Sequence, residues 1–472
     1  MKLALISLAD MEGDPILGLA YIASYIRQYG NFNNTKIIDK ENPIERIKKE
    51  KPDLIGISAL THEFPKANRL AKEIKEEFDI PTIIGGQHIS VMPNNFLPSN
   101  FQLGVIGEGE QTTLELIDLF EKEGEFNPKK LEQIKGVVFR DKNNRLRMTE
   151  PRPLVEPLDK IPFPARDLLK MKEYYLTLRL ATFRKFGIYT GMMTSRGCPY
   201  NCVFCSPTKF WQRIRYNSAE YVVSEIKLLL EKYKLDGVII YDDLFIASKE
   251  RLKQIVDLIK KEGINKRTQF HVNCRANLMN DEICKLLKEM NVTGVEFGFE
   301  SGSDKILGYL KKNTVTVEQN KKALQISRKY GFKTVASFMT GIPNETEEDM
   351  QQTLDLINDD NLHRAIFCQL SPYPGTEIWD YAKKKGMVSD DINFDFEQLL
   401  VLKYNPNLIL NDSISKEKFH EWYLKLRQAS MNKKDRNNLG QVLTLKPKHL
   451  KYLFTKRFIT KIFYHLKRGR MV

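Results

Sequence analysis

The sequence has few cysteines and no long apolar run, and each of these absences excludes a class of protein. Six cysteines in 472 residues are too sparse for the disulfide framework of a secreted protein. No stretch approaches the roughly eighteen uninterrupted apolar residues of a membrane-spanning helix. The first residues, MKLALISLADMEGDP, turn acidic before a signal-peptide core would be complete. These absences predict a globular cytoplasmic protein with free thiols.

The positive charge is concentrated at one end of the chain. The formal net charge is +14, and residues 433–472 contribute about +11 of it, from twelve Lys or Arg and one Asp. Within residues 446–470, apolar side chains repeat at helical spacing opposite the basic ones. This basic tail predicts peripheral contact with an anionic membrane, or else a terminal helix docked on the preceding domain. No compact recognition module accompanies the charge, which argues against nucleic acid.

The N-terminal third alternates between strand and helix patterns. Helical patterns near 16–29, 43–50 and 64–78 separate apolar runs at 2–8, 35–39, 53–60 and 81–86. This rhythm predicts an α/β domain over residues 1–140 with a doubly wound parallel sheet. Ligands of such sheets lie where the strands end. Those ends read ADMEGD, SALTHE, GGQHIS and GEGE, which offer glycines for close backbone approach and small polar groups.

A proline-rich segment leads to a second series of βα units. Residues 152–169 carry four prolines and predict an extended connection inside a linker of residues 141–187. Six further strands are expected, near 188–196, 237–243, 269–276, 294–300, 333–342 and 365–371. With a helix behind each strand, they predict a partial (βα)6 barrel over residues 188–390.

The strand rhythm stops after residue 390. Residues 413–430, SISKEKFHEWYLKLRQAS, have the apolar stripe of a helix. A helical region over residues 391–472, ending in the basic tail, is therefore expected.

Three cysteines lie together just after the first barrel strand. Cys198, Cys202 and Cys205 follow C-x-x-x-C-x-x-C spacing in TSRGCPYNCVFCSP. A closed zinc site takes four ligands, and the next cysteine, Cys274, lies on a separate predicted strand. Three thiolates instead predict an iron–sulfur cube with one iron open to an exogenous ligand. Zinc or an incidental cluster of thiols is the alternative. Cys274, Cys284 and Cys368 are expected to be small core residues.

On these residues the chain resembles the radical S-adenosylmethionine (SAM) enzymes that carry an N-terminal cobalamin-binding domain. The likeness covers about residues 1–390 and includes the barrel segments VIIYDDLF, HVNCRANLM, GVEFGFESGSDKIL and FMTGIPNETEEDM. It implies a [4Fe-4S] cluster on the three cysteines, with Phe204 beside it, and SAM on the open iron. Cobalamin in the first domain and an electron donor of flavodoxin or ferredoxin type are also implied.

In the first domain, the resemblance rests on the triplet Ser58-Ala59-Leu60 and the pair Gly85-Gly86. It implies that Ser58, Leu60, Gly85 and Gly86 contact cobalamin. His88 is expected to be a hydrogen-bonding loop residue near the cofactor, and a cobalt ligand is the alternative. An Asp-x-His-x-x-Gly loop, which supplies a histidine to cobalt in many cobalamin proteins, is replaced by ADMEGD. Cobalt would then lack that histidine.

In the barrel, each implied SAM contact has a structural alternative. Asp242 and Asp243 end a strand and could bind the SAM amino group or cap the next helix. Arg275 could grip the SAM carboxylate or pair with Glu300. Glu300, with Ser301 beside it, could bind ribose hydroxyls or an arginine.

The resemblance implies methylation of an unactivated carbon through a 5′-deoxyadenosyl radical and methylcobalamin. A radical rearrangement or cyclisation without methyl transfer is one alternative. A cobalamin-binding sensor without enzymatic activity is another, and the intact cysteine triad argues against it. The sequence does not encode the substrate, although the basic tail suggests a lipid or another membrane-resident molecule.

Overall fold

Two α/β sheets and a C-terminal helix make up the described part of the chain. The computed structural model describes residues 1–8, 16–171, 188–206, 210–211, 213–400 and 403–435. The loop ADMEGD, the end of the predicted linker and the basic tail lie outside these residues.

The N-terminal sheet is doubly wound, as predicted. Its strands are β1 Leu3–Ser7, β2 Thr35–Ile38, β3 Leu54–Ser58, β4 Thr82–Gly85, β5 Leu103–Val105, β6 Val137–Arg140 and β7 Leu146–Met148. The spatial order is β2-β1-β3-β4-β5-β6-β7, and β1 to β5 are parallel. The helices are α1 Leu17–Gly30, α2 Pro43–Glu50, α3 Phe64–Phe78, α4 Gln87–Val91, α5 Gly109–Glu123 and α6 Pro128–Leu131.

Both faces of this sheet are buried because successive strand residues face opposite sides. Leu3 and Leu5 pack in a core with residues of α1 and α5. Ala4 and Ile6 pack on the other face, with residues of α3. The continuous apolar runs of the N-terminal third follow from this two-sided burial.

The sheet continues past the residue at which the first domain was expected to end. β6 and β7 add an antiparallel hairpin to β5. Its turn is closed by Asp141, whose carboxylate accepts the backbone N–H groups of Asn143 and Arg145 at 2.9 Å each, and Asn144 has φ 57°. Side-chain hydrogen bonding and a left-handed residue are what a tight turn requires, so part of the predicted linker belongs to the first sheet.

The second sheet is the partial barrel, with the six predicted strands. They are β8 Tyr189–Met192, β11 Gly237–Ile240, β12 Gln269–Cys274, β13 Val292–Glu300, β14 Lys333–Thr340 and β15 Arg364–Gln369. All are parallel and adjacent in chain order. Two short strands between β8 and β11 form an antiparallel ribbon, β9 Ser195–Arg196 and β10 Arg215–Tyr216.

Helices separate the barrel strands, and each begins after a capping residue. They are α7 Ala219–Tyr233, α8 Lys249–Lys261, α9 Asp281–Glu289, α10 Asp304–Lys311, α11 Val317–Lys329, α12 Glu347–Ile357 and α13 Glu377–Lys384. The caps are Ser, Thr or Asn side chains that accept a backbone N–H of the first turn, namely Ser218, Ser248, Asn280, Ser303, Thr316, Thr346 and Thr376.

The last described helix, α14 Lys416–Asp435, confirms the helix expected at residues 413–430. Phe419, Tyr423 and Leu426 are buried in the barrel core, and Ser430 Oγ donates to the Ala365 carbonyl of β15 at 2.9 Å. This helix therefore covers the end of the barrel sheet. Among the described residues, no helix is long and apolar enough to cross a membrane.

Candidate active site

The three cysteines lie on one loop, residues 197–206, called here the cysteine loop. It begins at Gly197, which has φ 92°. A Cβ atom there would lie 2.5 Å from the Arg213 carbonyl oxygen, so only glycine fits. Cys198, Cys202 and Cys205 are partly buried, and the Cys205 N–H donates to the Cys202 carbonyl at 3.1 Å.

Asp242, at the end of β11, holds the turn that precedes this loop. Its buried carboxylate accepts the backbone N–H and the hydroxyl of Thr194, both at 2.5 Å, and the Ser195 N–H at 3.1 Å. Burial raises the pKa of Asp242, against the nearby Arg251 charge and these hydrogen bonds. Both oxygens bind the chain itself, so the contact with the SAM amino group expected for Asp242 is not supported. Its place is structural.

Asp243 lies next to it and keeps an exposed surface, although protein atoms surround much of its carboxylate. Loss of hydration and the charge of Asp242 raise the pKa of Asp243 to about 6, against a hydrogen bond to the Gly197 backbone. Its charge also reaches Cys198. Of the two aspartates, Asp243 is the one that remains available to a ligand of the cysteine loop.

Arg275, at the end of β12, reaches the cysteine loop directly. One of its terminal nitrogens lies 3.7 Å from Cys202 Sγ, and the other donates to Thr314 Oγ1 at 2.5 Å. Its guanidinium carbon lies 3.7 Å from the centre of the Tyr200 ring. The alternative expected for it, an ion pair with Glu300, does not form, because Glu300 pairs with Lys311 instead.

Glu300 ends β13 in a strained backbone conformation. Its φ is 66°, and its carboxylate lies 3.4 Å from Lys311 Nζ. A Cβ at Gly298 would lie 2.3 Å from that carboxylate, so the glycine makes room for it. Burial raises the pKa of Glu300, while Lys311 and Arg275 oppose this. Left-handed residues other than glycine cluster at functional sites, where the surroundings hold them in place.

Ser301 does not face this group. It is fully buried, its hydroxyl lies 3.1 Å from Thr353 Oγ1, and it accepts the Ser303 N–H at 3.1 Å. These contacts fix the start of α10. The expected contact between Ser301 and a cofactor is therefore not supported.

The three thiols have the chemistry of a cluster site. Burial raises the pKa of Cys198, with Asp243 and Cys202 adding to the effect, so binding iron would displace a proton. A single ion about 2.3 Å from each thiolate needs closely spaced sulfurs. No group of three His, Cys, Asp or Glu side chains in the described residues is close enough to hold one ion. In an iron–sulfur cube each thiolate binds a different iron, which fits three thiols at positions 198, 202 and 205 of one loop. Phe204, next to Cys205, is partly buried.

The strand ends of the first sheet form an edge lined by backbone, called here the glycine edge: residues 58–60, 85–86 and 107. A Cβ at Gly85 or Gly107 would meet nothing within 4 Å, so open space lies beside both. Ser58 and Leu60 are half-buried at the same edge. An uncharged, open surface of this kind fits a broad ligand such as cobalamin.

Two interactions fix the shape of the glycine edge. Gly86 has φ 99°, and a Cβ there would lie 2.7 Å from the Ala59 carbonyl oxygen. Ser90 Oγ donates to the Gly86 carbonyl at 2.8 Å and accepts the Gly107 N–H at 3.0 Å. The loops after β4 and β5 are therefore tied together.

His88 is not part of this edge. It lies in α4 rather than in a loop, is fully buried, and stacks on Phe64 with 4.0 Å between ring centroids. Its Nε2 lies 3.1 Å from Asn95 Oδ1. Burial lowers the pKa of His88 to about 3, against that hydrogen bond. The histidine is a neutral core residue, and the expected contact with the cofactor is not supported.

The two glutamates of the GEGE segment, unlike Gly107, do not have the role that was expected of them. Glu108 Oε1 accepts from Arg196 at 2.6 Å and from Arg215 at 2.9 Å, and Glu110 Oε1 accepts from Arg196 at 2.6 Å. Burial disfavours both kinds of charge, but Arg215 and Arg196 keep the pKa of Glu108 low. Glu110 and Glu108 likewise keep the pKa of Arg196 high. These carboxylates bind arginines of the β9–β10 ribbon instead of a ligand.

A second contact joins the glycine edge to the far end of the cysteine loop. Gln87, which follows Gly86, donates to Ser206 Oγ, one residue after Cys205. The carboxyl ends of the two sheets thus face each other. Five residues around these edges were not predicted from the sequence: Tyr200, Lys311, Thr314, Arg196 and Arg215. Only Lys311 had a local sign of a special role, as a lysine in a largely apolar last turn of α10.

Two family models match these two regions. The B12 binding domain matches residues 9–117, and the Radical SAM superfamily matches residues 192–357. An uncharacterized methyltransferase of Pyrococcus horikoshii is 35% identical over 381 residues, which cover 78% of each chain. The anaerobic magnesium-protoporphyrin IX monomethyl ester cyclase of Rubrivivax gelatinosus is 29% identical over 419 residues, 84% of this chain and 70% of that one.

A solved structure gives the same arrangement of domains. The radical SAM methyltransferase TsrM from Kitasatospora setae, with cobalamin and a [4Fe-4S] cluster bound, superposes with a TM-score of 0.66. The identity is 18%, over 81% of this chain and 78% of that one, so this likeness shows the fold alone. Together with the domain matches and the relative at 35% identity, it establishes that the chain belongs to the cobalamin-dependent radical SAM methyltransferase family, whose cofactors are a [4Fe-4S] cluster, SAM and cobalamin.

Proposed function

We propose that this enzyme methylates an unactivated carbon atom of a substrate that lies between the cysteine loop and the glycine edge. The contact between the two edges carries the proposal, because it brings a thiol site and an uncharged surface to one place. When bound, the cluster and SAM supply an adenosyl radical for hydrogen abstraction, and cobalamin supplies the methyl group.

The chain's own residues would bind and orient these groups. Cys198, Cys202 and Cys205 hold the cluster. Arg275, a planar fork beside Cys202, binds the SAM carboxylate, and Asp243 binds the SAM amino group. Glu300, held by Lys311, accepts hydrogen bonds from the SAM ribose.

Cobalamin would lie on Ser58, Leu60, Gly85 and Gly86, the half-buried parts of the glycine edge. With His88 buried and ADMEGD lacking histidine, neither supplies an imidazole to cobalt. We assign this site to a first domain of residues 1–148. A shortened linker follows, and the barrel and the C-terminal region keep the expected bounds of 188–390 and 391–472.

The test is anaerobic reconstitution with iron, sulfide and cobalamin, followed by incubation with methyl-labelled SAM and an extract of the source cells that contains both small molecules and lipids. The proposal expects S-adenosylhomocysteine and 5′-deoxyadenosine in similar amounts, with label in an organic product. Absence of S-adenosylhomocysteine would contradict methylation.

A radical cyclisation is the second candidate, and the relative at 29% identity favours it. A cyclase that consumes SAM only for hydrogen abstraction forms 5′-deoxyadenosine and leaves the label in methionine. The distribution of the label in the same experiment therefore separates the two reactions.

Radical SAM enzymes require a reductant and a substrate. For this chain we propose a cytoplasmic electron donor of flavodoxin or ferredoxin type and a lipid substrate, met when the basic tail binds an anionic membrane. Its support is the sequence pattern of residues 446–470, in which nine Lys or Arg could each contribute about 1 kcal/mol at most.

Truncation after Gly440 tests the membrane contact, since it leaves α14 intact. Loss of co-sedimentation with anionic vesicles at low salt, with an unchanged melting temperature, is expected. A lower melting temperature with unchanged sedimentation would instead indicate a docked helix and contradict the membrane contact.

A further inference from the structure

Four buried charged side chains connect the first domain to the start of the cysteine loop. Glu108 is the N-cap residue of α5 and Glu110 lies in its first turn, and Arg196 and Arg215 come from the β9–β10 ribbon. Their exposed fractions are 6%, 4%, 7% and 4%. The two acids and two bases balance, and each base donates to at least one acid at 2.6 to 3.0 Å.

The two arginines are cross-strand partners, so both acids bind the ribbon at the same position along its strands. Arg215 pairs with Arg196 in the antiparallel register. The Arg196 guanidinium carbon also lies 5.3 Å from the centres of the Tyr21 and Trp211 rings. Tyr21 belongs to α1, so a second element of the first domain holds the same arginine.

These ion pairs lie close enough along the chain to fix the position of the cysteine thiols. Arg196 precedes Cys198 by two residues, and the intervening Gly197 is in tight contact with Arg213. At the other end of the loop, Ser206 directly follows Cys205 and accepts from Gln87 of the first domain. The cysteine loop is thus held at both ends by residues that adjoin the glycine edge.

A buried ion network is weak evidence for stability, because desolvation offsets most of the attraction between the charges. Well-packed apolar residues would join two domains at less electrostatic cost. The charged pairs instead add geometric specificity, because a carboxylate and a guanidinium fork fix each other's orientation.

We propose that Glu108 and Glu110 are positioning residues, which set the cysteine loop against the glycine edge and thereby couple SAM cleavage to methyl transfer. This inference rests on the proposed function for its catalytic consequence. The structural part, that these acids order the loop, stands without it.

The variants are E110Q, which keeps the side-chain size, and the charge-balanced pair E110Q with R196Q. E225Q is the matched control: it removes the acid of another buried pair, Arg166–Glu225 at 3.1 Å, which does not contact the cysteine loop. The first readout is hydrogen exchange of residues 196–206 in the protein without cofactors. Faster exchange there in both loop variants, and not in E225Q, is expected.

The second readout is the ratio of 5′-deoxyadenosine to S-adenosylhomocysteine after reconstitution. When the cysteine loop is displaced from the glycine edge, SAM is cleaved without methyl transfer to the substrate. This ratio should therefore rise about tenfold or more in the loop variants at unchanged iron content. Unchanged exchange of the loop, or a proportional loss of both products, would overturn the proposal. If the wild-type protein forms no S-adenosylhomocysteine, methylation itself fails, while the exchange experiment still decides whether the acids order the loop.

Discussion

The two sheet edges that face each other are built on opposite principles. The glycine edge offers backbone and open space at Gly85 and Gly107. The barrel edge, defined here as the cysteine loop together with the residues at the carboxyl ends of the barrel strands, offers thiols and the buried charges of Arg275 and Glu300. A broad ligand is held by contact area, whereas a cluster and a charged cosubstrate need specific side chains. The glycine edge should therefore lose ligand binding when side-chain atoms are added, and the barrel edge should lose it when side-chain atoms are removed.

Removal of thiols is the largest perturbation of the barrel edge. Alanine at Cys198, Cys202 or Cys205 should abolish cluster absorbance and 5′-deoxyadenosine formation, because each thiolate would hold a separate iron. Cys284→Ala is the matched control, since this thiol is fully buried in the barrel core. Anaerobic iron analysis and product assays measure both. Turnover in the triple-alanine variant would contradict the assignment.

Addition of one methyl group tests the glycine edge. Gly85→Ala should fold normally, because its Cβ meets nothing within 4 Å, yet weaken cobalamin binding about tenfold by steric conflict with the ligand. Gly86→Ala should instead destabilise the protein without cofactor, because of its φ of 99° and the Ala59 carbonyl. Cobalamin titration and thermal melting separate the two. Unchanged cobalamin affinity in Gly85→Ala would show that cobalamin does not bind at the glycine edge.

A conservative change at Arg275 tests whether its guanidinium fork binds SAM. Arg275→Lys keeps the charge but loses the fork that joins Cys202 and Thr314. The KM for SAM should rise roughly tenfold, as expected for a lost hydrogen bond to a charged group, while the iron content stays near that of the wild-type protein. An unchanged KM would mean that Arg275 only supports the loop.

The smallest expected effect is a pH dependence confined to the barrel edge. Glu345 accepts from Thr340 Oγ1 and from the N–H groups of Gly341 and Ile342 at 2.9, 2.8 and 3.3 Å. Burial raises its pKa to about 7, against these hydrogen bonds. A carboxyl whose pKa is raised on folding stabilises the fold fully below its ordinary pKa, and this contribution is lost as the pH rises through about 7.

Hydrogen exchange measures this effect. Protection of residues 340–345, corrected for intrinsic rates, should fall about threefold between about pH 6.5 and 7.5. The decrease should be absent in Glu345→Gln, which keeps an acceptor but cannot titrate, and absent at residues 85–90. Equal decreases in the wild-type protein and in Glu345→Gln would show that another group titrates.

The sequence predicted the features that depend on local pattern. The six barrel strands follow from period and length, and the cysteine triad follows from spacing within eight residues. The glycine edge was predicted because strand ends of parallel sheets bind ligands. The β6–β7 hairpin was not, since its strands are short and its turn DKNN has no glycine.

Residues that pair across the two domains could not be predicted. Glu108 and Arg196 are 88 residues apart, and a carboxylate at a strand end suits a ligand or an arginine equally well. His88 likewise gave no local sign of burial, because the ring that covers its edge, Phe396, lies far along the chain. Long-range packing decided these roles.

Whether the two edges form one active site can be measured by pulsed electron paramagnetic resonance on the reconstituted protein, with the cluster reduced and cobalamin in its paramagnetic cobalt(II) form. If they do, the two centres should show dipolar coupling that disappears when Cys198, Cys202 and Cys205 are all replaced by Ala. Two bound centres without measurable coupling would mean that the edges belong to separate sites.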